Sequence, residues 1–219
     1  MTDHDQDTLA ELSTLSCCDI SDALDRLGIR GQCLGIRPLA PASRFAGRAY
    51  TVRYGPAGTA PGTVGDYIDD LPPGTVVCLD NRGRTDATVW GDLLTSTAAR
   101  NGLAGTVIDG VCRDISRALE LDYPIFGRGN WMRTGKDRVQ VESLEAPVAI
   151  GGVRVQTGDW LVGDQDGVVA VPGSRVGVVV EAARQIHAAE EQIRQALAKG
   201  ASLKAARAVV GYHSLQAHR

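Results

Sequence analysis

The chain has 219 residues, of which 23 are basic and 26 acidic, for a formal net charge of −3, and both signs are spread along it. That distribution offers no basic face to follow a phosphate backbone, so nucleic acid is not expected as a direct partner, while the length suffices for an ordinary buried core. Five cysteines with no C-x-x-C pair argue against a disulfide framework and a zinc site, leaving reduced, mostly buried thiols as the expectation.

The acidic opening MTDHDQDTLAELSTL lacks the basic-then-apolar order of a secretory signal, and no apolar run reaches spanning length. A cytoplasmic protein without a membrane partner is expected. LSCCDISDALDRLG follows, with Ser16 or Asp19 as a cap, apolar Ile20, Ala23, Leu24 and Leu27, and a terminating Gly28, which predicts a short amphipathic helix. GRAYTVRYG alternates and is rich in Tyr, Thr and Val, the pattern of a strand. VGDYIDDL fits a short helix before the PPG turn that launches TVVCLD, a buried strand.

Two alternations come next. GDLLTSTAARNG predicts a helix closed by Asn101-Gly102, GTVIDG a strand, RDISRALELD a helix, and PIFGRG a strand after Pro124, which together imply a parallel or mixed sheet with helices against it. From Ala146 to Pro172 the texture changes to short strands, PVAI, VRVQTGDWLV and GVVAVP, expected as antiparallel structure layered on the first half. A last helix, about Ser174 to Lys199, carries Val176, Val179, Val180, Ala183, Ile186, Ile193 and Leu197 on one stripe and ends at Gly200. No linker or repeat interrupts the chain, so one α/β domain over 1–219 is expected.

Several motifs fail on inspection. GNWMRTGKD has five residues rather than four between Gly129 and Gly135, and Asp137 stands where a P-loop needs Ser or Thr. No G-x-G-x-x-G follows a strand and no G-x-S-x-G is present. His4, His187, His213 and His218 lack metal-ligand spacing and are expected on the surface.

What remains lies at the carboxyl ends of two strands, where ligands bind in open α/β sheets. Gly91-Asp92 follows TVVCLD, and Arg113-Asp114 follows GTVIDG, with twenty residues between Asp92 and Arg113. Singly, each Asp is most simply a helix cap, worth about 1 kcal/mol. Together, beside an Arg and a Gly that lets backbone approach a ligand, they suit a carboxylate substrate on the N–H groups around Leu93 and Leu94, paired with Arg113, with a divalent cation on Asp114. Arg82, Arg84 and Arg133 are further candidate anion partners.

The sequence resembles the class II 4-hydroxy-4-methyl-2-oxoglutarate aldolases and the related RraA-like proteins, which include regulators of ribonuclease E. The resemblance runs from DISDALDRLG through GRAYTV, WGDLL, GTVIDGVCRD, PIFGRG and GDWLVGDQDGVVAVP to EEQIRQALAKG, and its most specific element is Asp, twenty residues, Arg-Asp. It implies a single-domain β/β/α fold, RraA-like and swivelling-domain-like, with mixed sheets and a C-terminal helix, assembled as a homotrimer or hexamer with the site at a subunit boundary. It further implies that Asp114 ligates Mg²⁺ or Mn²⁺ directly, Asp92 reaches it through water, Arg113 binds the pyruvoyl oxygens, and Gly91, Leu93 and Leu94 form the loop for the substrate carboxylate. An acidic residue from a neighbouring subunit's last helix corresponds to Glu190, with Glu191 adjacent.

The implied reaction splits a 4-hydroxy-2-oxo acid into pyruvate and a carbonyl product. Oxaloacetate decarboxylation accompanies it through the shared enolate, and no lysine stands out to form a Schiff base. The alternative is a non-catalytic RraA-type regulator that binds a ribonuclease or another protein. Regulators of that type generally lack the first Asp of the signature, so Asp92 favours the enzyme.

Overall fold

A computed structural model describes residues 3–59 and 62–210. In chain order the elements are α1 (Asp3–Thr14), α2 (Cys17–Arg26), β1 (Arg37–Pro38), β2 (Phe45–Pro56), a 3₁₀ turn (Asp66–Asp70), β3 (Thr75–Arg84), α3 (Asp92–Arg100), β4 (Gly105–Gly110), α4 (Ile115–Glu120) and β5 (Ile125–Gly127). They continue with β6 (Val139–Leu144), β7 (Val148–Ile150), β8 (Val153–Val155), β9 (Trp160–Asp164), β10 (Gly167–Val171), a second 3₁₀ turn (Gly173–Arg175), α5 (Val176–Ala198) and α6 (Leu203–Val210). The predicted helix over DISDALDRLG is α2, and its start is a full capping box: the Ser16 hydroxyl accepts from the Asp19 backbone N–H while the Asp19 carboxylate accepts from the Ser16 N–H.

The main sheet is mixed and nearly closed, in the order β1-β5-β4-β3-β2-β9-β10. β2, β3, β4 and β5 run parallel, and β1, β9 and β10 pair antiparallel at the flanks. The long β2 serves two partners on one edge, β9 through Phe45–Arg48 and β6 through Val52–Pro56. The segment from Gly31 to Pro38 closes the gap. Cys33 N–H donates to Val168 O at 3.0 Å and Ala170 N–H to Gly31 O at 2.8 Å, after which β1 pairs with β5.

Successive residues of β3 face opposite sides, as pleating requires. Val76 and Cys78 point into the barrel with Phe45, Val107, Phe126 and Leu161, whereas Val77 and Leu79 point outward against α3, α4 and the first 3₁₀ turn with Val89, Trp90 and Tyr123. A third cluster packs α1, α2 and α5 on β9 and β10. The first half of the stripe expected on the last helix is thereby covered within the chain, with Val179, Ala183 and Ile186 in one cluster with Ile20, Trp160 and Val171, while Leu197 is exposed.

Two features of the second half differ from expectation. β9 and β10 do not form a separate layer but extend the main sheet, and only the β7–β8 hairpin stands apart. That hairpin packs Val148, Ile150, Val153 and Val155 into the barrel interior. VRVQTGDWLV is two strands, broken at the turn where Gly158 takes φ 93°. β6, α1 and α6 were not anticipated, because their sequences are too charged or too short for a periodic signal.

Cys17, Cys33, Cys78 and Cys112 are buried, Cys18 is exposed, and all five are free. His4 lies on α1, and His187 on α5 sets Nδ1 3.1 Å from the buried Asp19 carboxylate. His213 and His218 fall outside the described residues. Among the described residues no helix is long and apolar enough to cross a membrane.

Barrel closure depends on close approach at Gly31, where a Cβ would stand 2.3 Å from Ala170 O and 2.6 Å from Leu24 Cδ1. Gly31→Ala is expected to lower unfolding free energy by about 1–3 kcal/mol, the cost of overpacking against backbone. Urea titration should show this as a lower midpoint at unchanged slope.

Candidate active site

The loops after β3 and β4 converge at one end of the sheet. α3 begins with Gly91 as N-cap and Asp92 as its first helical residue, and its opening bond runs from Thr95 N–H to Gly91 O at 3.0 Å. The N–H groups of Leu93 and Leu94 therefore have no partner inside the helix. Beyond β4, Arg113 N–H donates to Trp90 O at 2.9 Å, which ties the second loop to the first.

The same loop is held on its other flank by the strand-like segment after β5. Arg128 N–H donates to Gly110 O at 2.8 Å, Cys112 N–H to Gly129 O at 3.3 Å and Trp131 N–H to Cys112 O at 2.8 Å. Arg128 is in turn paired through Nε with the buried Asp109 of β4. The turn carrying Arg113 and Asp114 is thus strung between two neighbouring loops by main-chain bonds.

Neither Asp is the cap that helix-start statistics suggest. Asp92 lies one residue past the cap position, and no side-chain capping bond forms at α3. Asp114 occupies the cap position of α4 but in the left-handed region, φ 57° and ψ 42°, again with no capping bond. Its Oδ2 is turned instead toward Arg113 Nε at 3.1 Å and the Asp92 N–H at 3.4 Å. A Cβ on Gly91 would meet that Oδ2 at 2.9 Å and Arg113 Nε at 3.2 Å, so a larger residue between Trp90 and Asp92 would push the Arg113–Asp114 pair aside. The Asp92 carboxylate makes no hydrogen bond or ion pair with a described residue.

Beside this junction is a cavity of about 380 Å³, the size for a small molecule, lined by Val64–Asp66, Ile68, Asp69, Thr88–Leu94, Thr97, Arg113 and Thr134–Lys136. Gly91, Asp92, Leu93, Leu94 and Arg113, all expected from sequence, form part of its wall, and Asp114 is tied to residues that do. A larger depression of about 480 Å³ shares the Val111 loop and is lined by Thr85, Arg128, Trp131 and Arg133, but holds none of Asp92, Arg113 and Asp114. The smaller cavity is the one that the residues singled out in the sequence line.

Other expectations need correction. Arg82 pairs with Glu142 at 2.7 Å, Arg84 with Asp86 at 2.9 Å, and Arg133 lines the other depression, so none of the three lines the cavity. Lys136 does, and the Gly-Lys of GNWMRTGKD, which fails as a phosphate loop, is the only sequence signal for it. Glu190 on α5 pairs with Arg194 at 3.3 Å and lines a separate hollow with Ile193, Leu203 and Arg207; Glu191 pairs with the same arginine at 3.0 Å. Within one chain, neither glutamate joins the Asp92 cavity. Cys112, next to Arg113, is no nucleophile, since burial pushes its thiol up to about 12.

The donor set fits a hard divalent cation. Asp92 and Asp114 supply oxygen only, neither carboxylate caps its own helix, and Mg²⁺ is commonly held by one or two carboxylates with water and substrate completing the shell. Among the described residues no group of three or more His, Cys, Asp or Glu could hold a metal, so further ligands would come from solvent, substrate or a second copy of the chain.

Fold and site together define a mixed-sheet α/β protein with a carboxylate and guanidinium junction at adjacent strand ends. Comparison places it more closely: the RraA-like family, described as Aldolase/RraA, matches residues 17–170, and the chain belongs to that family. It is similar to protein DlpA of Legionella pneumophila, 41% identical over 202 residues, 91% of this chain but 33% of that protein, so the chain spans a third of that relative's length. A Halalkalibacterium halodurans protein, provisionally named a 4-hydroxy-4-methyl-2-oxoglutarate aldolase, is 30% identical over 90% of this chain and 91% of its own. The crystal structure of Streptomyces coelicolor RraAS2, titled an unusual member of the RNase ES inhibitor RraA protein family, superposes with a TM-score of 0.78 at 30% identity, covering 86% of this chain and 96% of that one.

If Asp92 and Asp114 are not caps, stability should show it. Asp92→Ala is expected to change unfolding free energy by no more than about 0.5 kcal/mol, against about 1 kcal/mol for a lost cap. Asp114→Gly should be neutral or stabilising, because glycine adopts the left-handed region without strain. Chemical denaturation of both variants measures this directly.

Proposed function

We propose that this chain is a class II aldolase, dependent on Mg²⁺ or Mn²⁺, that cleaves a 4-hydroxy-2-oxo acid to pyruvate and a second carbonyl compound and also decarboxylates oxaloacetate. The observation that carries the reading is the meeting of Gly91-Asp92 with Arg113-Asp114, two carboxylates turned away from capping beside a guanidinium and a cavity. The relatives' provisional aldolase name supports it.

In this reading Asp114 and Asp92 would hold the cation, which when bound supplies Lewis-acid charge to the 2-oxo group. Arg113 presents a planar fork to the pyruvoyl oxygens and carries positive charge where the enolate develops. The unpaired N–H groups of Leu93 and Leu94 receive the substrate carboxylate at the positive end of α3. Asp92, without a protein partner, holds the water that takes the proton from the C4 hydroxyl. Buried Trp90 and Val89 exclude solvent from the back of the cavity.

The reading takes 1–219 as one domain and a homotrimer or hexamer as the working form, with Glu190 from a second copy completing the site. Leu93, Trp131 and Met132, 78%, 44% and 72% exposed next to the tethered loop, are the apolar surface that supports such an assembly. The competing reading is a non-catalytic protein-binding regulator, the kind of protein RraAS2 is titled as. The partnerless Asp92 carboxylate at the cavity favours the enzyme.

Arg113→Lys separates structure from chemistry. Lysine keeps the charge but loses the fork, so turnover on oxaloacetate with saturating Mg²⁺ should fall by about a hundredfold while the melting temperature stays put, since an exposed ion pair is worth only about 0 to 1 kcal/mol. A variant within threefold of the parent rejects this role for Arg113. Exhaustive chelation should abolish pyruvate release, and Mg²⁺ or Mn²⁺ should restore it; full activity in the chelated, dialysed protein counts against the class II mechanism.

A further inference from the structure

We propose, resting on the aldolase reading above, that the substrate's far end is an uncharged polyol rather than a second carboxylate, and that Asp66 and Asp69 select it. The cavity wall opposite α3's first turn is the 3₁₀ turn Asp66–Asp70. In a 3₁₀ helix, residues i and i+3 eclipse, so Asp66 and Asp69 stand one above the other on a single edge, and both line the cavity. The residues between them, Tyr67 and Ile68, are buried, with the Tyr67 hydroxyl 3.1 Å from that of Tyr54 and Ile68 O accepting from Asn101 Nδ2 at 3.4 Å. The turn is anchored inward through Tyr67 and Ile68, which leaves the exposed Asp66 and Asp69 at the cavity's rim.

Neither Asp66 nor Asp69 forms an ion pair with a described residue. The cations that line the cavity are Arg113, committed to the pyruvoyl end in this reading, and Lys136. A substrate tail running from Arg113 along the 3₁₀ turn therefore meets two stacked acceptors and one ammonium donor. A carboxylate only accepts, and would face Asp66 and Asp69 with like charge; an ammonium only donates, and would face Lys136. Hydroxyl groups both donate and accept, and so satisfy both walls at once.

The reaction balances without any further reactant. The C3–C4 bond breaks and its electron pair enters the pyruvate enolate. The C4 hydroxyl loses its proton to the base held by Asp92 and becomes the aldehyde carbonyl, and C3 takes up a proton. A 4,5,6-trihydroxy-2-oxohexanoate gives pyruvate and glyceraldehyde; 4-hydroxy-2-oxoglutarate gives pyruvate and glyoxylate.

The test compares kcat/KM for these two acids, with oxaloacetate as a third substrate, in the full chain with Mg²⁺ and with pyruvate quantified by chromatography. The trihydroxy acid is expected to be preferred by about tenfold or more, the scale of discrimination from unmatched polar groups at an open site. In the Asp66→Asn, Asp69→Asn double variant the ratio should fall toward one, mainly through KM, with the melting temperature reporting an intact fold. Cleavage of the dicarboxylate as well as or better than the trihydroxy acid overturns this inference and leaves the aldolase reading standing, as does a ratio unmoved in the double variant. No pyruvate from any of the three overturns the aldolase reading, and this inference with it.

Discussion

Much of this structure depends on the carboxylate of Asp109. An ionised carboxylate taken out of water costs several kcal/mol unless it is paired and hydrogen-bonded, and Asp109 is 6% exposed. Its two oxygens meet that requirement in different directions. Oδ2 accepts from Gly151 N–H at 2.9 Å, holding the β7–β8 hairpin in the barrel, while Oδ1 takes the Arg128 guanidinium and fixes the segment that brackets Cys112. Its register partner across the ladder, Asp80, repeats the first device by accepting from Ala149 and Arg82 N–H. The β7–β8 hairpin and the turn carrying Arg113 and Asp114 are thus set by side chains one strand apart, so that turn inherits the rigidity of the sheet.

The aspartates show what is structural and what is not. Asp19 completes a capping box, Asp159 accepts from Gln156 and Gly173, and Asp164 accepts from Cys17 and Asp166, each through backbone N–H groups at 2.8–3.0 Å. These carboxylates are bound into the fold. Asp92 makes no such bond, and Asp114 gives up its cap position to face Arg113 from a left-handed backbone. Asp92 is thereby set apart from these structural carboxylates at the cavity wall, and Asp114 is engaged by the neighbouring loop rather than by its own helix.

The parallel half was legible in sequence because β2 alternates, β3 and β4 are mostly buried on both faces, and each helix is short and punctuated. GTVIDG is a strand over its whole predicted length, and α3 ends where Asn101-Gly102 requires. The second half was less so. Short antiparallel strands separated by Gly turns look the same whether they form a new layer or extend an old sheet, and pairing partners for β9 lie a hundred residues upstream in β2. In the site, Gly91, Asp92, Leu93, Leu94 and Arg113 were legible because they sit next to strand ends. Lys136 and the Asp66–Asp69 edge were not, since only tertiary packing brings their loops to the cavity, and Glu190 lies in a separate hollow of the chain.

The spacing of Asp92 and Arg113 follows from this topology. α3 starts at Asp92, runs nine residues, turns back at Gly102 and returns as the six-residue β4, and just past Val111 and Cys112 Arg113 donates to Trp90 O, next to where the crossover began. Twenty intervening residues are what one helix and one strand of matched length consume between neighbouring parallel strands. One residue more in the helix would rotate its packing face by about 100°, and one more in the strand would reverse which side of the sheet each residue meets. Either change would separate Asp92 from the Arg113–Asp114 pair. A fixed interval in the sequence is therefore the one-dimensional record of a closed loop in space, which is why so long a gap can define a site.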